Sequence, residues 1–70
     1  MKIEVINFVR EYRKEANLTQ EELAKAVGVS RQSIISIEKG YYIPSLPLAL
    51  QFSKLFNCSI DQLFALKEEK

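Results

Sequence analysis

Apolar residues along the chain recur at the three- and four-residue spacing of amphipathic helices, broken by short polar stretches rich in Ser, Thr, Asn and Gly. Caps and periodicity place five helical segments. Asn7 can cap the first, which runs to about Ala16 with Val9, Tyr12 and Ala16 inward; Asn17 tolerates the left-handed stop. Thr19 opens the second, and Thr19-x-x-Glu22 forms a capping box that satisfies orphan backbone donors. Ser30 caps the third, which stops at Gly40. Ser45 caps the fourth, with Pro47 harmless in its first turn and Leu48, Ala49, Phe52 and Phe56 facing the core. Ser59 opens a short fifth through a second box, Ser59-x-x-Gln62, burying Ile60 and Leu63 with Phe64 at its margin. At the chain ends Ile3 and Val5, and Phe64 and Leu66, alternate with polar neighbours. Two short strands there either pair, one end against the other, or stay irregular, because runs of that length are ambiguous.

Residues 20–39 read QEELAKAVGVSRQSIISIEK. Small Ala24 suits a steep crossing of two helices, where a larger side chain would not fit. Gly28 ends the first helix of the pair in the left-handed conformation that a Cβ penalises. Leu23, Val27, Val29, Ile34 and Ile37 supply an apolar seam between the two. These residue types at this spacing predict a helix-turn-helix over residues 19–39.

Seventy residues make one domain, 1–70, without room for a second core. At 47% apolar and 27% charged the chain is ordinary globular material. A chain this short buries only about 60% of its unfolded surface and gains from self-association. The net charge is +1, so bulk electrostatics does not announce nucleic acid; any such contact must come from local charge and helix dipoles. There is one cysteine, Cys58, and no histidine, which excludes an internal disulfide, Cys/His metal sites and His-dependent catalysis. No apolar run approaches about 18 residues and no signal peptide is recognisable, so a cytoplasmic chain without membrane contact is expected.

With Ile34, Ile37 and Glu38 turned inward, the outward face of the third helix is Arg31, Gln32, Ile35, Ser36 and Lys39, with Ser30 and Ser33 at its start. Arginine can donate a bidentate pair to guanine O6 and N7, and glutamine can pair with adenine N6 and N7. At the start of such a helix, Arg31 and Gln32 favour base contact over the bland alternative of a solvated polar face. Gln20 stands where free N–H groups and the positive dipole end attract a phosphate. Lys39 either reaches a phosphate or merely complements the dipole.

The motifs LTQEELAKAVGVSRQSI, IEKGYYIPSL and FNCSIDQLF carry a resemblance. From about Asn7 to Phe64 the chain resembles the Cro/CI (phage-repressor, xenobiotic-response-element) helix-turn-helix family, especially its small stand-alone regulators. That resemblance implies an all-α, five-helix lambda-repressor-like bundle that binds operator DNA as a symmetric homodimer. It also implies that Gln20 contacts phosphate and braces the recognition helix, that Arg31, Gln32 and Ser36 read bases, and that Ser30 and Ser33 touch backbone or bases. Arg13 and Glu38 match a buried ion pair of the family, and a lone buried carboxylate at Glu38 would be costly. A salt bridge between them is expected under the loop that follows the recognition helix.

Some positions depart from the family pattern. Tyr41 stands where lysine is frequent, leaving one phenol hydrogen bond to phosphate in place of an ion pair. Tyr42 is expected to pack on the bundle. Ile35 either contacts a thymine methyl or packs sideways. Cys58 reads as a small buried hydrophobe. An enzyme is disfavoured, since Glu11, Glu21, Glu22 and Asp61 are scattered and no cofactor motif occurs. A protein-interaction module of the same fold, an antitoxin or bridging component, is the rival reading. The short ends, MKIEVI and ALKEEK, favour a self-contained DNA-binding regulator with no evident small-molecule ligand.

Overall fold

The computed structural model describes residues 2–69. Five helices follow one strand and precede another: β1 (Lys2–Asn7), α1 (Val9–Glu15), α2 (Gln20–Val27), α3 (Arg31–Glu38), α4 (Leu46–Phe56), α5 (Ile60–Leu63) and β2 (Phe64–Glu69).

Local chemistry sets most of these boundaries. The Thr19 hydroxyl accepts from Glu22 N–H at 3.0 Å while the Glu22 carboxylate accepts from Thr19 N–H at 2.8 Å, closing the expected box. Ser59 and Gln62 repeat it at α5. Ser30 and Ser45 cap α3 and α4 by accepting from Ser33 N–H and Leu48 N–H. Gly28 ends α2 at φ 76°, and Asn17 and Asn57 adopt the left-handed turn after α1 and α4. Gly40, at φ 81°, closes α3: its N–H donates to Ile37 O and that of Tyr41 to Ser36 O, so two last-turn carbonyls are satisfied.

The start of α1 differs from expectation. Its N-cap is Phe8, without a side-chain cap. Asn7 belongs to β1 instead, although its Oδ1 still accepts from Val9 N–H at 3.2 Å. Ala16 is exposed, because the chain leaves the helix before that position can turn inward.

The ends do pair. β1 and β2 run antiparallel, with Val5 opposite Leu66, Ile6 opposite Ala65 and Asn7 opposite Phe64. The side chain of Ile3 lies outside the described residues. A two-stranded ribbon is marginal alone. Here it is anchored to the helices by Phe8 N–H donating to Leu63 O at 2.8 Å and by Asn7 Nδ2 donating to Ile37 O at 2.9 Å.

The core joins all five helices through Val9, Leu23, Ala24, Val27, Ile34, Ile37, Leu48, Phe52 and Leu63. Each large apolar side chain among them contributes about 1.5–3 kcal/mol by leaving water. Val29, Phe56, Phe64 and Cys58 pack on its margin, so Cys58 is half-buried where full burial was expected.

Candidate nucleic-acid interface

Ala24 is 3% exposed at the junction of α2 and α3, and Ile34 and Ile37 are fully buried against it. With those residues inward, helical periodicity turns Arg31, Gln32 and Lys39 outward, and all three are exposed. Ile35, Ser36 and Ser33 are half-buried along the same helix, and Ser30 is exposed. The two N-terminal hydroxyls are engaged with each other, Ser30 Oγ lying 3.0 Å from Ser33 Oγ. Tyr41 is 80% exposed just beyond the helix. Tyr42 does not pack on the bundle as expected; it is 46% exposed, in the irregular segment between α3 and α4.

The other end of α3 is held by a buried polar cluster. Arg13 Nε donates to Glu38 Oε2 at 2.7 Å, and Arg13 Nη2 to Glu38 Oε1 at 3.3 Å. The two side chains are 11% and 5% exposed. Gln20 Nε2 also donates to Glu38 Oε1, at 3.1 Å, tying the start of α2 to the end of α3. The remaining direction of the guanidinium is taken by Nη1, which donates to Leu18 O at 2.9 Å. Arg13 thereby also ties down the loop between α1 and α2. Burying a charge pair is stabilising only when its remaining donors and acceptors are met. No buried side-chain nitrogen or oxygen is unpartnered among the described residues.

Above this cluster lies a cleft between α1 and the last turn of α3, walled by Arg10, Gln20, Ile35 and Lys39. Arg10 was not among the residues expected at the interface. Its neighbours come from three separate helices, so no local motif signals it; its place one turn before Arg13 on α1 is the only hint. Among the described residues no group of three or more His, Cys, Asp or Glu is placed to hold a metal ion. No described helix is long and apolar enough to cross a membrane.

Helices α2 and α3, packed together, joined through Gly28 and presenting the polar face of the second helix, define a helix-turn-helix protein. A family model described as helix-turn-helix matches residues 9–63, and the chain belongs to that family, in its Cro/CI branch. The family is one of DNA-binding transcription regulators and not of enzymes. An uncharacterised HTH-type transcriptional regulator of Methanocaldococcus jannaschii is 50% identical over 64 residues, covering 91% of this chain and 97% of its own. Another, from Methanothermobacter thermautotrophicus, is 52% identical, over 87% of this chain and 90% of its own. Among solved structures, the P22 c2 repressor in complex with a synthetic operator superposes with a TM-score of 0.72 and 36% identity, over 76% of this chain and 80% of that one.

Proposed function

We propose that the chain acts in the cytoplasm as a homodimeric repressor that reads a near-palindromic DNA operator with α3. The observation that carries this reading is the division of α3 into a buried face, Ile34 and Ile37, and an exposed first turn, Arg31 and Gln32. A rigid helix with bidentate donors at its free end is what base recognition in the major groove requires. Arg31 and Gln32 read base edges, with Ser36 one turn further along the same helix. Ser30, Ser33, Tyr41 and Lys39 lie along the flanking phosphates, as does Gln20 at the start of α2, where free N–H groups favour an anion. The likeness to a repressor bound to its operator supports the same role here.

Dimer formation sets two copies of α3 about 34 Å apart, one turn of B-DNA, so half-site centres fall about ten base pairs apart. Exposed Leu66 and Leu50, at 67% and 52%, with half-buried Phe64, supply apolar surface for that contact. Occupied promoter DNA is then closed to polymerase. Neither cofactor nor metal enters this mechanism.

Selection of bound duplexes from random DNA tests the reading. The expected result is a two-fold symmetric motif with that spacing. Recovery of no motif, or sedimentation showing a monomer at tens of micromolar and on DNA alike, would overturn it.

A further inference from the structure

We propose that Arg10 and Lys39 form a phosphate seat: the cleft between α1 and the last turn of α3 takes one phosphodiester of the DNA strand bordering the groove that α3 occupies. The inference rests on the DNA-binding reading above and adds to it a contact from α1.

Four observations converge on an anion at this place. First, the acidic group of the cleft is already consumed. Both oxygens of Glu38 accept from Arg13, and Oε1 accepts from Gln20 as well. Arg13 and Glu38 cancel, so the uncancelled charge of the cleft is that of Arg10 and Lys39. The whole chain carries only +1, which makes this a local concentration of charge and not a generally basic surface. Second, the only salt bridge among the described residues is Arg13–Glu38, so Arg10 and Lys39 both face the cleft without a carboxylate partner.

Third, the polar atoms left over are donors. A glutamine amide carries two N–H groups, and Gln20 gives one to Glu38, leaving the other beside Arg10 and Lys39. Ile35 is the only apolar residue in the lining; the others are charged or polar. Fourth, the cleft is continuous with the face of α3 assigned to DNA. Ile35 and Lys39 follow Gln32 at helical spacing of three and seven residues, so a duplex lying on that face runs its backbone past the cleft mouth.

The test compares wild type with Arg10→Ala and Arg10→Lys, using the duplex that wild type selects from random DNA and a scrambled duplex. Each neutralised phosphate adds about −0.9 to the slope of log affinity against log salt. From about 50 to about 200 mM salt, Arg10→Ala should therefore lose about 3.5-fold less affinity than wild type. It should be weaker than wild type by the same factor on both duplexes, and Arg10→Lys should restore the wild-type slope. Replacing single phosphates of the selected duplex by uncharged methylphosphonates should reveal one position that weakens wild type and leaves Arg10→Ala unaffected. An Arg10→Ala variant with wild-type affinity and slope, or one weakened on the selected duplex only, overturns the seat while leaving the DNA reading intact. Wild type that selects no duplex overturns both.

Discussion

At its last turn α3 carries Glu38, whose carboxylate is gripped by Arg13 and Gln20 beneath the surface; at its first turn it carries Arg31 and Gln32, exposed and without side-chain partners among the described residues. One helix of eight residues thus has a fixed end and a free end. The fixed end costs the desolvation of two charges, which their mutual hydrogen bonds and that of Arg13 to Leu18 O offset. In return it sets the direction of α3 relative to α1 and α2. The free end can then vary its side chains without disturbing the core, because Ile34 and Ile37 bury the opposite face whatever stands at 31 and 32. In the function proposed above, orientation belongs to the fixed end and base choice to the free end.

That division can be attacked from either end. Arg13→Ala strands Glu38 in a buried setting and should cost about 3–5 kcal/mol of folding stability. A loss below about 1 kcal/mol in denaturant titration would mean that the fixed end is not fixed by this pair. Arg31→Ala should leave stability within about 0.5 kcal/mol of wild type, as for other exposed positions. Its effect belongs to binding, where about 1–3 kcal/mol should vanish at one base position, seen as a flattened preference there in competition assays. Ser30→Ala removes the N-cap just before the free end and should cost about 1 kcal/mol of stability by thermal melting. A null result there would assign the α3 start to tertiary packing alone.

The caps were readable beforehand because they are local: Thr19 with Glu22, Ser30, Ser45 and Ser59 with Gln62 each act within three residues. Gly28 and the apolar seam were readable for the same reason, being one periodicity plus one conformational demand. The terminal strands stood open in the sequence because six-residue runs pair only if distant segments meet, and β1 meets β2 across the whole chain. The start of α1 was not legible because β1 extends through Asn7, and the helix stops before Ala16. Tyr42 was expected to pack, yet the irregular segment after Gly40 leaves it exposed, along with Ile43 and Leu46. Arg10 has no local sequence signature because the cleft it lines is assembled from α1, α2 and α3.

The most direct test of the fixed and free ends is a titration of isotope-labelled protein with its selected duplex, following backbone amides by NMR. The largest shifts are expected at Arg31, Gln32 and Ser36, with Ile34 and Ile37 moving little. Shifts centred on Leu46 and Leu50, with the first turn of α3 unmoved, would contradict that division.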